Sequence, residues 1–251
     1  MRTLRLMAGQ VVLENRAFWR NPAAAFFTVV FPLVFMVIAN VALVDSAGGR
    51  EAAARFYTPA IMAFALITAC YTNLAMSVVA ARDAGILKRL RGTPLPTWIY
   101  LWGRIVESVL IAGVLVAIVS LYGTLVQGVL LPVDRYAALG VALVVGAAAF
   151  SALGLAVSGI VPNAAAAPAV VNATILPLLL ISNVLIPIHN ETLTSIARLF
   201  PVHHLARALA SAYDPAAPDF GFTWDSLAVV GGWGLAGLVV ALVTFSWQPR
   251  G

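Results

Sequence analysis

The polar side chains that fall inside long apolar stretches are the first candidates for chemistry. Asn40, Asn73, Asn172 and Asn183 each lie in a run made mostly of Ala, Val, Leu and Ile. In hydrocarbon an amide needs a hydrogen-bond partner, on a neighbouring helix or on a bound molecule. The four asparagines therefore indicate either contacts between helices or a path for a substrate that carries hydrogen-bonding groups.

A second group of candidates lies in the basic segment RDAGILKRLRGTP, residues 82–94. If residues 83–91 are helical, Ile86, Leu87 and Leu90 share one side, and basic side chains cover the rest. The charges alone would suit a loop that only fixes membrane topology. The apolar stripe favours a short helix that docks on another protein, because nothing else in the chain is expected to cover it.

Metal binding, ion coupling and catalysis find little support in the remaining polar residues. His203 and His204 are adjacent, so on a helix they diverge by about 100° and cannot easily share an ion, with or without His189. Arg104 and Glu107 precede the third apolar stretch and are spaced to form an interfacial ion pair. No nucleophile–base signature is present, so we expect neither a metal site nor an enzymatic activity.

Composition indicates the environment of these residues. Of the 251 residues, 62% are hydrophobic and 10% are charged, whereas a soluble domain carries roughly 25% charged residues. The sequence therefore predicts an all-α integral membrane protein, with residues 1–251 as a single transmembrane domain. Six stretches are long and apolar enough to cross a bilayer as helices: about 23–44, 58–81, 108–131, 137–161, 166–188 and 227–247.

Three segments complete the predicted architecture. Residues 1–21 form an amphipathic helix on the inner leaflet, 82–95 a cytoplasmic segment, and 189–224 an extracytoplasmic segment that dips into the outer leaflet. The excess of Arg over Lys suggests a GC-rich bacterial genome and hence a bacterial inner membrane. With both termini cytoplasmic, ten of the fifteen Lys and Arg residues lie inside, as the positive-inside rule requires: Arg2, Arg5, Arg16, Arg20, Arg82, Lys88, Arg89, Arg91, Arg104 and Arg250.

The segment from Asp83 to Leu95 resembles the acidic-x-Gly-x-Leu…Leu…Thr-Pro-Leu signature of type-2 ATP-binding-cassette (ABC) exporter permeases. The Arg20-Asn21-Pro22 start and the Phe200-Pro201-Val202-His203-His204 stretch are similar to other regions of that family. The likeness covers nearly the whole chain and is nearest to the daunorubicin-type drug-resistance branch. The family usually has a Glu in the acidic pair before the glycine, whereas here Asp83 is followed by Ala84.

The resemblance implies a permease that exports a lipophilic drug-like or lipid-like substrate by alternating access. It assigns ATPase coupling to Asp83, Gly85, Ile86, Leu87 and Leu90. It also implies two permease chains, identical or homologous, and a separate ATPase chain that binds ATP and Mg²⁺. The residues agree, because the only lysine, Lys88, is followed by arginine, so no Gly-Lys-Ser/Thr phosphate loop exists here. We expect no cofactor or nucleic acid on this chain, and membrane lipids around it.

Two other classes of function stay open from the residues alone. One is an ATP-independent channel or secondary carrier, and the other is a membrane scaffold that transports nothing. Ion-coupled carriers usually place a charged residue within a span, and none of the six stretches carries one in its middle. A copurifying ATPase would separate the exporter from both alternatives.

The predicted orientation can be tested with single cysteines in a Cys70→Ala background. With the basic segment in the cytoplasm, Thr192→Cys should react with a membrane-impermeant thiol reagent in intact cells, whereas Lys88→Cys should react only after the membrane is opened. Labelling of position 88 but not of position 192 in intact cells would overturn this orientation.

Overall fold

The computed structural model of the protein describes residues 2–42, 49–92, 96–129, 133–182, 184 and 190–244. Every regular element in these ranges is helical, and they contain no strand. The predicted all-α fold is confirmed. Twelve α-helices occur in the described ranges: α1 Arg2–Trp19, α2 Pro22–Ala25, α3 Phe31–Ala42, α4 Arg50–Ile67, α5 Leu74–Asp83, α6 Ile86–Arg91, α7 Thr97–Gln127, α8 Tyr136–Ile160, α9 Ala167–Ile181, α10 Glu191–Ala197, α11 Pro201–Tyr213 and α12 Trp224–Thr244.

Five helical segments are long and apolar enough to cross a membrane, and α9 is a sixth, shorter apolar helix of 15 residues. At 1.5 Å per residue α9 is about 22 Å long, less than the roughly 30 Å of hydrocarbon. The six predicted stretches thus each contain an apolar helix. The end of the fifth stretch, including Asn183, lies outside the described residues.

The third span begins earlier than its hydropathy predicted. Helix α7 starts at Thr97 and continues without interruption to Gln127. Arg104 and Glu107 were expected to precede the span, but both lie within this helix. Both residues fall within residues 97–107 of α7, and its remaining 20 residues, 108–127, carry no charged side chain.

Two π-helical segments interrupt the first two spans. The first, π1 (Phe26–Val30), joins α2 to α3, and the second, π2 (Thr68–Asn73), joins α4 to α5. Pro32 follows π1 and lacks the N–H that would bond the Thr28 carbonyl in an α-helix, which accounts for the wider turn there. Segments of this kind often occur at functional sites.

Helices α8 and α12 form the closest helix pair of the bundle. A Cβ added to Gly234 would lie 2.8 Å from Ala149 Cα, and one added to Gly237 would lie 3.0 Å from the backbone nitrogen of Leu153. Such distances are too short for a side chain, so glycine is needed for the two backbones to approach. This packing holds the last span against the fourth.

Candidate functional site

A break between α5 and α6 shapes one end of the bundle. Gly85 has φ of 69° in the left-handed region, and the amide of Arg89 donates back to its carbonyl. Glycine adopts this conformation without the steric cost that a Cβ brings. The helix predicted over residues 83–91 is therefore two elements, with Asp83 at the end of α5 and Ile86 at the start of α6.

Helix α6 buries one side against its own chain. Leu87 is fully buried, in a cluster with Ala81 and Tyr100 that Leu90 and Leu101 partly cover. The expectation that the apolar stripe has no partner within the chain is wrong for Leu87, because Tyr100 of α7 folds back to meet it. Other side chains of α6 face outward: Ile86, which is 41% exposed, Lys88 and Arg89.

Arg82, at the end of α5, joins the second span to the fourth at this end of the bundle. Its side chain is 2% exposed. Its Nη1 donates to the Ser158 carbonyl at 2.9 Å, and its Nη2 donates to the carbonyls of Val161 and of Pro162, the latter at 3.2 Å. These are carbonyls at and just beyond the end of α8, where a helix leaves acceptors unpaired and favours a cation.

Asp83 extends the same junction to α9. One of its carboxylate oxygens accepts a hydrogen bond from the backbone N–H of Ala164, in the turn that leads into α9. The consecutive residues Arg82 and Asp83 thus fasten α5 to the end of α8 and to the start of α9. We call this part of the molecule, with α6 and the start of α7, the Arg82 end.

A second ionic contact ties α1 to the Arg82 end. Arg104 Nε lies 3.0 Å from Glu14 Oε2, and Gln10 donates to the other Glu14 oxygen at 2.6 Å. Burial raises the pKa of the Glu14 carboxyl, and the Arg104 charge and the Gln10 hydrogen bond oppose that rise. The predicted Arg104–Glu107 pair is replaced by this contact, because α1 lies along α7 at this level.

Arg104 also connects α1 to α6 through an aromatic ring. Its Nε donates to the Tyr100 hydroxyl at 3.0 Å, and its guanidinium lies 5.3 Å from the ring centroid. The same tyrosine packs on Leu87 of α6. Tyr100 therefore contacts both Arg104, which pairs with Glu14 of α1, and Leu87 on the buried face of α6.

An open groove of about 560 Å³ lies between the first span, π2–α5 and α9. Its wall is mixed: Phe27, Phe31 and Phe64 supply aromatic surface, and uncharged polar groups interrupt it. These polar lining residues are Asn21, Thr28, Thr68, Thr72, Asn73, Ser77 and Asn172. None of the described lining residues is charged, so the groove suits an uncharged apolar molecule with a few hydrogen-bonding groups.

The structure brings together two of the four predicted asparagines. Asn73, at the end of π2, and Asn172, on α9, both line the groove. Asn40 lies on α3, with its side chain outside the described part, and Asn183 lies outside the described residues. Sequence reasoning missed Thr68 and Thr72, although their spacing of four residues already placed them on one face of a helix.

Two further buried polar residues, Glu107 and His204, lie away from the groove. Glu107 is 3% exposed inside α7, and its Oε1 has no hydrogen bond in the described part of the chain. His204, considered above as a metal ligand, has both ring nitrogens within hydrogen-bonding distance of protein atoms: Ser226 Oγ at 3.1 Å and the Arg198 carbonyl at 2.8 Å.

Comparisons with known proteins cover this whole site. A family model described as ABC-2 type transporter matches residues 11–213. The chain is also 20% identical to the Bacillus subtilis (strain 168) protein named "Putative transport permease YvfS" over 229 residues, which are 90% of this chain and 91% of that protein. The range matched by the family model includes Glu14, Arg82, α6 and both asparagines of the groove.

The contacts of Arg82 predict a large stability loss on substitution. Arg82→Met keeps the apolar stem but leaves three carbonyls without their donor, so we expect the free energy of unfolding to fall by about 3 kcal/mol or more. Thermal unfolding in detergent, followed by size-exclusion chromatography, would measure the change.

Arg89→Met is the matched control, because Arg89 is exposed and donates one hydrogen bond, to the Ala84 carbonyl at 2.9 Å. Its loss should change the unfolding free energy by less than about 1 kcal/mol. Equal unfolding temperatures for the two variants would show that Arg82 does not hold α5 and α8 together.

Proposed function

The chain belongs to the ABC-2 type transporter family and is a membrane transport permease, and from this premise we propose that it is the permease subunit of an ATP-driven exporter. ATP and Mg²⁺ would bind a separate ATPase chain. The Arg82 end would face the cytoplasm of a bacterial cell, with both termini on that side. The resemblance of residues 83–95 to exporter permeases supports the assignment, and on the same resemblance we propose the daunorubicin-type branch.

The observation that carries the proposal is the position of α6. This helix is anchored by Leu87, presents Ile86, Lys88 and Arg89 outward, and begins at the left-handed Gly85. We infer that this outward face, an isoleucine beside two basic side chains and outside the apolar spans, contacts another protein. The ATPase is the partner that the family resemblance implies for this position.

The contacts at the Arg82 end supply a route from the proposed docking surface to the groove. A force on α6 acts on α5 through Gly85 and on α7 through the contact between Leu87 and Tyr100. Arg82 and Asp83 pass the displacement of α5 to the connection that starts α9. Because α5 and α9 are two walls of the groove, movement of the ATPase would change the width of the groove, as alternating access requires.

The composition of the groove supports a lipophilic substrate. Three phenylalanines offer apolar and aromatic surface, while Asn73 of π2 and Asn172 of α9 offer amide hydrogen bonds from two different elements. A drug-like or lipid-like compound fits this lining better than a sugar polymer. The groove is open on one side in the single chain, and a second permease chain, identical or homologous, would close it.

A secondary carrier or channel is the alternative, and Glu107 is the observation in its favour. A carboxyl group buried in a membrane-spanning helix is typical of ion-coupled transport. The exporter is preferred because Glu107 does not line the groove. Transport that persists without any ATPase and stops when the proton gradient is dissipated would establish the alternative.

Ile86→Glu should separate docking from folding. Ile86 is 41% exposed, so the variant is expected to insert and accumulate normally. Fully burying an isoleucine contributes about 1.5 to 3 kcal/mol, so covering the exposed part of Ile86 would contribute about 0.6 to 1.2 kcal/mol, or about three- to eightfold in affinity. The larger effect of the variant is the cost of burying a carboxylate in the contact. Copurification of the ATPase and export should both be lost. They would be measured by pull-down and by efflux from cells.

Ile86→Leu is the matched control and should retain both activities. Arg89→Ala should have a much smaller effect than Ile86→Glu, because an exposed charge contributes little. An Ile86→Glu variant that still copurifies with its ATPase and exports normally would show that α6 is not the docking surface and only fixes membrane topology.

Asn73→Leu and Asn172→Leu should change substrate preference rather than abundance. Each removes an amide from the groove, and a lost hydrogen bond of about 0.6 to 2 kcal/mol would change the ratio of export rates about three- to thirtyfold. Thr174→Val on α9 is the control, since Thr174 bonds Tyr71 and does not line the groove. If both asparagine variants export every compound as the parent does, these residues serve helix packing.

A further inference from the structure

A second pocket lies at the end of the bundle opposite to Arg82. It has a volume of about 390 Å³ and is enclosed by the first part of α4, the end of α9 and helix α11. Most of its wall is apolar, formed by Phe56 and several alanines. Its polar members include Arg55 of α4, His203 and Arg207 of α11, and Ser182, which follows α9. None of these residues belongs to the groove.

Two side chains of this pocket, Ser182 and Arg207, have donors that make no hydrogen bond among the described residues. Ser182 is 1% exposed, and its hydroxyl has no hydrogen-bond partner in the described part of the chain. Arg207 uses Nη1, which contacts Asp225 at 2.7 Å and Ser226 at 3.5 Å. Its Nε and Nη2 make no hydrogen bond among the described residues. A buried hydroxyl without a partner is costly, so a ligand oxygen at this position would be stabilised.

His203 adds a neutral donor or acceptor to the pocket. Burial lowers the pKa of its imidazole, and the nearby His204, Arg198 and Arg207 lower that pKa further. At neutral pH the ring is therefore uncharged and can donate one N–H. It can contact an anion without the cost of burying another cation.

The wall of the pocket carries two arginines and one carboxylate, Asp214. Asp225 of α12 pairs with Nη1 of Arg207 and offsets part of its charge, so an anion would be bound through the other donors of Arg207, Nε and Nη2, and through Arg55. Arginine guanidinium groups bind the oxygens of phosphate and carboxylate groups in charge-assisted hydrogen bonds.

The position of the pocket indicates a membrane amphiphile as the source of this anion. It lies where the helices of the second and fifth spans end, and this is the level at which lipid headgroups meet transmembrane helices. The apolar part of its wall, with Phe56 and the alanines, suits the glycerol and first acyl carbons of a lipid. A small inorganic ion would leave this surface uncovered.

We propose that this pocket binds the phosphate of an anionic lipid, held by Arg55 and Arg207 at its rim and by Ser182 at its inner wall. The bound lipid would bridge α4, α9 and α11. It would stabilise the packing of the amphipathic helix α11 on two spans. The proposal does not depend on the exporter assignment, because the pocket is separate from both α6 and the groove.

The test uses the full chain purified in detergent, with its unfolding temperature followed during titration with lipid. Phosphatidylglycerol should raise the unfolding temperature saturably, whereas phosphatidylcholine, whose choline brings a cation to the arginines, should not. Arg55→Gln and Arg207→Gln should each weaken the apparent affinity for phosphatidylglycerol at least about tenfold. Both side chains are exposed in the structure, so neither change should prevent folding.

Three matched variants control for charge and for the loss of the ion pair. Arg198→Gln removes an exposed arginine at the same end that does not line the pocket, and should leave the affinity unchanged. Asp225→Asn removes the ion pair but leaves the positive charge of Arg207 in place, so this variant should retain lipid binding. Asp214→Asn removes the carboxylate that lines the pocket while keeping the oxygen that accepts from the Ala216 amide, and should strengthen binding.

The proposal is overturned by either of two results. One is an unchanged affinity for phosphatidylglycerol in both Arg55→Gln and Arg207→Gln. The other is equal stabilisation by inorganic phosphate alone, lost in the same two variants, which would identify a site for a free oxyanion instead of a lipid.

Discussion

The buried guanidinium of Arg82 is the contact on which the arrangement of the bundle depends. A charge at 2% exposure is tolerated only when it is hydrogen-bonded, and carbonyls at and just beyond the end of α8 accept from both terminal nitrogens, Nη1 and Nη2. The guanidinium and the carbonyls therefore satisfy each other's hydrogen bonds. Because these bonds require short distances, they restrict how α5 and α8 can pack. Asp83 adds the amide of Ala164, so α9 is fixed by the same two residues.

The second buried ionic contact, between Glu14 and Arg104, gives the Arg82 end its outer layer. It holds α1 along α7. Tyr100 bonds Arg104 and packs on Leu87, so it also connects this contact to the buried face of α6. Helix α6 has six residues and would be marginal alone in water. Its stability therefore comes from Leu87 and the helices behind it, and its exposed face is presented by a preformed support.

Hydropathy was sufficient to predict the spans and two of the groove residues, since membrane-crossing helices need long apolar runs and buried amides need partners. It could not predict contacts made between distant segments. The start of α7 was misplaced because Arg104 and Glu107 look like a boundary in sequence, whereas Glu14, ninety residues earlier, pairs with Arg104 inside the fold. Leu87 was expected on an exposed stripe for the same reason, because its partner Tyr100 could not be identified from helical spacing within residues 83–91.

The groove and the Arg82 end are close enough to act as one mechanical unit. Asn73 and Arg82 are nine residues apart, and the helix between them is regular from Leu74 onward, so they lie about 14 Å apart along α5. A regular helix of this length transmits a displacement with little bending, whereas π2, which ends at Asn73, has weaker helical geometry. A movement that begins at α6 would therefore be carried rigidly along α5 and absorbed at π2, where Thr68, Thr72 and Asn73 face the groove. The irregular turn and the polar lining thus coincide at the position where a bound molecule would experience the change.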